Sequence, residues 1–369
     1  MLVLTVNTGS ASTKLALFEV SAGQLKRQST ASYPAGGEPA EKLSAFMDEN
    51  GHPQLDAVAH RVVHGGAEMT APRRIDAKVV EEIARLAELA PLHNPIAHAW
   101  LEGCRHHFGE GMAQVAVFDT GFYAELPERA ARYALPHELA ARHRIRRYGF
   151  HGIAHGAMAA RWRELRPDLH EGGRLISIQL GGGCSITATD GGRPLDTSMG
   201  FSPVEGLVMT SRSGDLDPSI VTYLMRREGL SPDAVDDLLN HRSGLAGLSD
   251  GDGDMRGLLR SGAPEAERAI ETYCYRVRKY IGAYMAVLGG ADGIVFGGGV
   301  GENATTIRER ILSGMAWCGI DLDRQVNAAV QGREARIAAQ GSKVDLWVIP
   351  VDEQSALARE AFRILSDGR

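Results

Sequence analysis

Two short turns carry the residues best suited to bind a phosphate. Glycine can adopt positive φ and bring backbone N–H groups close to an anion, while hydroxyls and a lysine add further donors. Either turn alone is typical of an ordinary β-turn. Their repetition between apolar stretches near residues 4 and 176 favours a small anionic ligand held by two copies of one unit. The residues are Gly9, Ser10, Ser12, Thr13 and Lys14 in the first turn, and Gly181, Gly182, Gly183 and Ser185 in the second.

Charged residues that follow apolar strands are the second group of candidates. Asp119 comes directly after a strand predicted over 113–118, and the carboxyl end of a strand in an α/β sheet is where ligands bind. Arg61 lies in a strand predicted over 57–63, and Arg212 lies in a loop of turn-forming residues. A surface charge is the usual role of an arginine, and either residue is compatible with it. A guanidinium nevertheless suits carboxylate or phosphoryl oxygens because it donates two parallel hydrogen bonds.

Three other patterns give only weak signals or are better explained without a metal site. Residues 297–301 lie between a strand and a helix and offer N–H groups to a phosphate, but they lack the P-loop pattern and fit a dinucleotide motif only loosely. The acidic run 249–254 has Met255 and Ser261 where a calcium loop needs Gly and Glu. His151 and His155 are four residues apart without an HExxH motif, which favours hydrogen-bonded histidines over zinc ligands.

Length and composition indicate an ordinary soluble protein of two domains. The chain has 369 residues and a net charge of −6 with both signs interspersed, so nucleic acid is not an expected partner. No stretch is long enough to cross a bilayer, and the apolar run 2–6 is too short for a signal peptide. Four cysteines without a CxxC spacing fit a reducing compartment. We therefore expect a cytoplasmic protein with no membrane contact.

The periodicity of apolar residues predicts alternating strands and helices, which defines an α/β protein. Strands are also expected over 175–180, 293–296 and 344–349. Helices are expected over 77–89, from residue 152 through 160, over 232–239 and 264–288, and at the carboxyl terminus through 365. Turns between edge strands are expected over 21–39, and loops over 92–95 and 196–218.

The order of the motifs resembles the acetate and propionate kinase family, within the actin, Hsp70 and sugar-kinase superfamily. The resemblance implies two duplicated actin-like ATPase domains, of the ribonuclease H-like type, with a cleft between them. It also implies an N-terminal domain for the acyl group and metal, residues 1–121 plus 352–369, and a nucleotide-binding domain, residues 122–351. The motifs are NTGSAST at 7–13, HRVVHGG at 60–66, PLHNP at 91–95, VFDTGF at 117–122, YGFHG at 148–152, DTSMGFSPVEGL at 196–207, SRSGDLDP at 211–218, GGGVGEN at 297–303 and DEQ at 352–354.

The resemblance also implies a role for each matching residue. Arg61 and Arg212 would hold the acyl carboxylate and the phosphoryl group, and His151 would donate to the transition state. Asn7, Asp119 and Glu353 would surround Mg²⁺ or Mn²⁺, with Asp119 orienting the metal, since an ionised carboxylate acceptor needs no general base. A small acyl pocket would be lined by Val63, Leu92, Phe150 and Pro203. ATP or ADP would contact Lys14, Gln179, Gly181, Gly182, Gly183, Asp254, Met255, Arg256, Gly299, Gly301 and Asn303.

Two departures from the family motif fall in the second turn. The family has His-Leu-Gly-Asn-Gly where this chain has Gln179-Leu180-Gly181-Gly182-Gly183, so one imidazole and one amide side chain are missing. The triple glycine resembles butyrate kinases, whereas Val63 should crowd anything longer than acetate. The expected activity is acetate kinase. Propionate or butyrate kinase and a catalytically impaired nucleotide-binding homologue remain the alternatives, and a homodimer is implied only by the resemblance.

Overall fold

The computed structural model describes residues 1–9, 12–251 and 253–366, so Ser10 and Asp252 lie outside the described residues. Twelve strands are found in these ranges: β1 Leu2–Thr8, β2 Ser12–Ser21, β3 Gln24–Pro34, β4 Ala57–Val62, β5 Arg73–Arg74, β6 Gln114–Phe118, β7 Arg174–Leu180, β8 Cys184–Asp190, β9 Arg193–Thr197, β10 Gly293–Gly297, β11 Ala335–Arg336 and β12 Asp345–Val348.

The same ranges hold fifteen α-helices, and none of them has the length and apolar composition needed to cross a bilayer. They are α1 Pro39–Glu49, α2 Ala77–Arg85, α3 Asn94–Phe108, α4 Glu128–Ala131, α5 His137–Arg142, α6 Gly152–Leu165, α7 Pro218–Glu228, α8 Pro232–His241, α9 Gly244–Leu248, α10 Met255–Ser261, α11 Pro264–Leu288, α12 Gly298–Asn303, α13 Thr305–Leu312, α14 Arg324–Ala328 and α15 Glu353–Ser366.

The chain divides into two compact units. Unit 1 comprises residues 1–124, 150–153 and 352–369, and unit 2 comprises residues 125–149 and 154–351. Residues 150–153, which include the YGFHG histidine, thus group with unit 1. The assignment of the two parts as an acyl-side and a nucleotide-side domain stays a prediction.

Unit 1 is built on a six-stranded sheet of order β3-β2-β1-β4-β6-β5. The strands β1, β4 and β6 are parallel, while β1 and β2 form an antiparallel hairpin. Apolar residues of α1 and α3 pack with one face of the sheet, and those of α15 pack with the other. Because both faces are covered, β1, β4 and β6 are almost continuously apolar, as buried parallel strands generally are.

Unit 2 repeats this topology. Its sheet has the order β9-β8-β7-β10-β12-β11, with β7, β10 and β12 parallel and the β7–β8 hairpin antiparallel. Each unit therefore has a three-stranded meander, two further parallel strands and a short antiparallel edge strand in the same positions. The predicted α/β class and the duplicated domain are confirmed.

Strongly periodic elements match the sequence predictions, whereas two polar stretches match only in part. The helix predicted over 264–288 is α11 within the same bounds. The loop predicted over 92–95 is confirmed at residues 92–93 and wrong at Asn94 and Pro95, which begin α3, where a proline is well tolerated. An edge strand is present as predicted, but it extends over Gln24–Pro34 as β3, where the prediction over 21–39 has turns. Its solvent side is polar, and this hides its length in the sequence.

Candidate active site

The carboxyl ends of three parallel strands bring the candidate residues of unit 1 together. Asn7 lies near the end of β1, Arg61 near the end of β4, and Asp119 directly after β6. Parallel strands present these ends at one edge of a sheet, where ligands bind in open α/β folds. The structure thus places Asp119 at the predicted position and brings Arg61 next to it.

Arg61 forms an ion-pair network with two carboxylates. Its Nε and Nη2 atoms lie 3.1 and 2.6 Å from Asp119 Oδ2, and its Nη1 lies 3.8 Å from Glu353 Oε2. Nη1 also donates to Asn7 Oδ1 at 3.3 Å. Asn7 Nδ2 donates to Glu353 Oε2 at 2.8 Å, so four predicted site residues form one connected cluster.

The charged side chains of this cluster are buried, which strengthens the electrostatic interactions among them. The side chains of Arg61 and Asp119 are 11% and 1% exposed. Burial raises the pKa of Asp119 although the ion pair with Arg61 opposes it. Burial acts to raise the pKa of Glu353 too, but the attraction of Arg61 and the hydrogen bond from Asn7 outweigh it, so that pKa is lowered. Burial would lower the pKa of Arg61, but the two carboxylates raise it, and the guanidinium stays charged.

The chemistry of the cluster fits a magnesium ion. Asp119 Oδ1 is buried and has no hydrogen-bond partner in the described residues, although the backbone of His151 acts on the same carboxylate and lowers its pKa. A carboxylate oxygen in this position can accept a cation. Within the same residues no group of three or more His, Cys, Asp and Glu side chains has the arrangement of a metal site. Magnesium commonly uses only one or two carboxylates and takes its other ligands from water and phosphates. Asp119, Glu353 and Asn7 supply such a partial set.

The segment that carries Phe150 and His151 is held close to Asp119. Tyr123 donates through its hydroxyl to the Phe150 carbonyl at 3.0 Å. A Cβ on Gly152 would come within 2.0 Å of the Asp119 carbonyl oxygen, so only glycine permits this approach. His151 itself adopts φ of 58°, which is uncommon for a residue with a Cβ. The strained backbone and the close packing fix the position of this histidine relative to Asp119.

Three of the four predicted acyl-pocket residues lie in unit 1. Val63 and Phe150 are buried and Leu92 is half-buried. Their segments are joined through His64 and Asn94: Asn94 accepts from the His64 amide at 3.1 Å and donates to the His64 carbonyl at 3.0 Å. The ring of Phe150 lies edge-to-face to His64, with centroids 5.6 Å apart.

Pro203, the fourth predicted pocket residue, and Arg212 lie together in unit 2. Arg212 Nη1 donates to the Pro203 carbonyl at 3.3 Å. The loop that carries them is anchored by Glu205, which accepts from Arg147 Nη2 at 2.6 Å and from the Tyr133 hydroxyl. Neither Arg147 nor Tyr133 is predicted from the sequence as a partner of this loop. Glu205 stands inside a recognised motif, but nothing in the sequence indicated its partners.

The φ angles of the turn glycines are not those predicted from the sequence. Gly9, Gly181, Gly182 and Gly183 do not adopt positive φ, so the argument from left-handed backbone is wrong for all four. The turn is closed instead by Gly181 N–H donating to the Gly183 carbonyl at 3.0 Å. A Cβ on Gly182 would have Thr210 Oγ1, 4.0 Å away, as its nearest neighbour, so the position has room for a side chain.

The side chain of Gln179 lies next to the turn at Gly297 and Gly298, where β10 ends. A Cβ on Gly298 would come within 2.9 Å of Gln179 Nε2 and 2.5 Å of the Leu180 carbonyl oxygen. Gly298 has φ of 76°, and here both the positive φ and the close approach require glycine. Gln179 Oε1 is buried without a hydrogen-bond partner in the part of the chain that the structure describes.

The remaining predicted nucleotide residues are found in separate local environments. Asp254 caps α10 by accepting from the Gly257 amide at 3.2 Å, with Met255 buried behind it and Arg256 exposed. Asn303 donates to the Gly299 carbonyl at 2.9 Å. Lys14 is exposed and pairs in register with Asn7, and its charge helps to lower the pKa of Glu353. Gly301 lies against Phe296, whereas Gly299 faces open space.

His155 bonds to hydroxyls. Its Nδ1 lies 2.7 Å from Ser177 Oγ and its Nε2 lies 2.8 Å from Ser185 Oγ. Both ring nitrogens therefore bind serines in the core of unit 2. The prediction of a hydrogen-bonded histidine is confirmed for this residue.

Comparison with known proteins gives a consistent result. The acetokinase family profile matches residues 38–359. The chain is similar to acetate kinase of Chloroherpeton thalassium, at 48% identity over 84% of this chain and 75% of the relative. It is also similar to acetate kinase of Streptomyces griseus, at 40% identity over 99% and 96% of the two chains.

Solved structures agree with the sequence relatives. Acetate kinase of Porphyromonas gingivalis has a TM-score of 0.88 at 36% identity, with 99% of both chains covered. A propionate kinase of Francisella tularensis has a TM-score of 0.88 at 36% identity, with 97% of this chain and 98% of that chain covered. The fold, the ordered motifs and the relatives agree, and the chain belongs to the acetokinase family.

Proposed function

We propose that the chain is an acetate kinase that reversibly transfers the terminal phosphoryl group of ATP to acetate, giving acetyl phosphate and ADP by direct in-line transfer. The observation that carries this proposal is the buried cluster of Arg61, Asp119, Glu353 and Asn7. A planar cation held between two carboxylates is suited to a carboxylate substrate, because that substrate can share the guanidinium donors.

The chain's residues supply positioning and charge, which dominate phosphoryl transfer. Its transition state is loose and spreads negative charge over the equatorial oxygens, so cationic donors stabilise it. We assign this role to Arg61 and Arg212, with His151 as a further donor. Acetate is ionised at neutral pH, and no residue has to remove a proton from it.

Asp119, Glu353 and Asn7 would hold Mg²⁺ or Mn²⁺. The ion would supply charge neutralisation for the ATP phosphates. The buried Asp119 Oδ1 without a hydrogen-bond partner among the described residues supports this assignment. Asp119 is an orienting ligand in this scheme and accepts no proton.

The acyl pocket favours a short substrate. Val63 and Phe150 are both almost fully buried. The Val63 segment is tied to the Leu92 segment through His64 and Asn94, and the Phe150 ring packs against His64. An extra methylene changes specificity by about 1 to 3 kcal/mol, so propionate should be a poorer substrate than acetate without being excluded.

One assay tests the activity and its alternatives. The protein is incubated with ATP, Mg²⁺ and acetate, propionate or butyrate, and the acyl phosphate is trapped as its hydroxamate. Acetate should give the highest kcat/KM, and Arg61→Ala should abolish product formation. A higher kcat/KM with propionate or butyrate contradicts the substrate assignment, and no product with any acid contradicts the enzyme assignment.

We also propose that the chain forms a homodimer in the cytoplasm. Helix α7 has no buried residue, and it and its preceding loop expose Leu216, Ile220 and Tyr223. An apolar helix surface of this kind is typical of a surface that binds another protein. Light scattering should give a mass of twice 39.7 kDa, and Tyr223→Asp should shift it to the single-chain value.

A further inference from the structure

A single carboxylate oxygen of Glu302 binds two backbone amides from distant parts of unit 2. Glu302 Oε1 accepts from the Gly298 N–H and from the Val351 N–H, each at 3.0 Å. The first amide opens α12 and the second follows β12. Two donors on one charged acceptor make this a strong contact, because hydrogen bonds to ionised groups are shorter and stronger than neutral ones.

The first of these amides belongs to the turn just before Gly299 and Gly301, two residues that we assign to the nucleotide on the strength of the family resemblance. Gly298 directly precedes Gly299, and its left-handed backbone is packed against the Leu180 carbonyl. A Cβ at this position would clash with the end of β7, so only glycine fits there. The bond from its N–H to Glu302 therefore fixes the direction in which the turn enters α12.

The second amide stands where the chain leaves unit 2. Val351 is the last residue of that unit, and Glu353, which accepts from Asn7, follows two residues later. A Cβ on Gly297 would lie 2.7 Å from Val351 Cγ2, so the valine side chain packs directly on the same turn. Glu302 thus holds the nucleotide turn and the exit of the chain in one arrangement.

The backbone that carries Glu302 is itself rigid. The Glu302 carbonyl accepts from Arg308 Nη1 at 3.0 Å and from the Gly332 amide at 3.1 Å. Arg308 is fully buried and donates also to the carbonyls of Gly301 and Val330 and to both oxygens of Asn327. Because the backbone of Glu302 is held by these hydrogen bonds, its side chain can position the two amides with the precision that catalysis requires.

We propose that Glu302 is a positioning residue for phosphoryl transfer, acting through the amides of Gly298 and Val351 and touching no substrate. This role rests on the proposed acetate kinase activity. It requires an acceptor oxygen at this place, and the negative charge adds a smaller share by strengthening both hydrogen bonds. A substitution that removes the acceptor oxygen should therefore have a larger effect than one that removes only the charge.

The test compares Glu302→Ala, which removes the acceptor, with Glu302→Gln, which keeps an acceptor oxygen. Glu309→Ala is the matched control, because Glu309 lies on the adjacent helix α13 in a half-exposed ion pair with Arg324. Hydrogen–deuterium exchange of peptides spanning 296–302 and 349–354 reports on the two amides, and initial rates with ATP and acetate report on catalysis.

Glu302→Ala should accelerate exchange in both peptides and lower kcat/KM for ATP by about 10- to 100-fold, the factor expected for losing a charged acceptor. KM for acetate should stay within about two-fold, because the acyl pocket is not touched. Glu302→Gln should recover most of the loss, and Glu309→Ala should match the wild type. If Glu302→Ala does not fold, Glu302→Asp, whose carboxylate is one methylene shorter, should show the same changes.

Unchanged exchange at both peptides, or a Glu302→Gln enzyme as impaired as Glu302→Ala, overturns the proposal. A wild-type chain that makes no acyl phosphate contradicts the proposed function instead. The exchange rates still decide in that case whether Glu302 holds the two amides.

Discussion

Both hydrogen bonds that Arg61 donates to Asp119 end on the same carboxylate oxygen, Oδ2, and the other oxygen is buried with no hydrogen-bond partner among the described residues. An unsatisfied buried acceptor is costly, so such atoms call for an explanation. A cation on Oδ1 would remove this cost while Arg61 continues to hold Oδ2. Arg61 thus fixes the Asp119 carboxylate through Oδ2, and Oδ1 is the oxygen that we assign to the metal.

Replacing Asp119 with Asn should weaken metal use. The amide has nearly the same size but no charge, so we expect kcat to fall by about 100-fold and the Mg²⁺ concentration for half-maximal rate to rise by about 10-fold. Initial rates in a magnesium titration measure both. Asp352→Asn is the control, since Asp352 is a half-exposed carboxylate beside Glu353, and it should titrate like the wild type. An unchanged magnesium dependence in Asp119→Asn contradicts the metal assignment.

Shortening Val63 should change the choice of acid. Val63→Ala removes bulk from the proposed acyl pocket, and we expect the ratio of kcat/KM for propionate over acetate to rise by about 10-fold. Val115→Ala removes the same volume from the core of unit 1 on β6. It should lower stability and leave the ratio alone. Equal ratios in the two variants would exclude Val63 from the pocket.

Two glycines that look alike in the sequence should respond differently to alanine. Gly298→Ala places a Cβ 2.5 Å from the Leu180 carbonyl at positive φ, so the turn must distort and KM for ATP should rise by about 10-fold or more. Gly182→Ala meets no atom closer than 4.0 Å and should keep normal stability. Nucleotide titrations and thermal melts of both variants measure the difference. Loss of stability in Gly182→Ala contradicts the open geometry of that turn.

Restoring the family residue at position 179 should improve nucleotide handling. Gln179→His supplies a side chain that can carry a positive charge, where glutamine cannot, and we expect higher kcat or lower KM for ATP. The buried Gln179 Oε1 without a described hydrogen-bond partner indicates that glutamine does not satisfy this place fully. Gln28→His, on the exposed edge strand, controls for the substitution itself. Kinetics that do not change would count against any role for the position.

His60 should make the protein sensitive to mild acid. It is fully buried on β4 with Nε2 2.7 Å from Gln114 Oε1, and burial lowers its pKa to about 4. The unfolded chain, with a histidine pKa of about 6.5, then binds more protons than the folded chain between these values. Stability should therefore fall as pH falls, by about 2 kcal/mol between pH 7 and pH 5 for this one group. Urea denaturation of wild type and His60→Asn measures it, and equal pH dependence would contradict the assignment.

The sequence predicts elements with strong periodicity and residues in ordered motifs, because these depend on local pattern. The long helix α11 and the buried strand β10 are examples. The sequence does not predict contacts that depend on tertiary packing. Nothing local shows that Arg61 uses one oxygen of Asp119, that Glu302 reaches Val351, or that the glycines at 181–183 have ordinary φ. The helix α3 was missed because its first turn holds Asn94-Pro95, which is as typical of a loop as of a helix start.

The buried guanidinium of Arg308 has a consequence for ionic strength. Burial lowers its pKa to about 10, which still leaves it charged at neutral pH, and its partners are backbone carbonyls and an amide oxygen in place of a carboxylate. Dissolved ions screen exposed pairs such as Arg324 with Glu309, but they do not reach a group with no exposed surface. The connection between residues 301 and 330 should therefore persist in concentrated salt after the surface ion pairs of the same unit have lost most of their attraction.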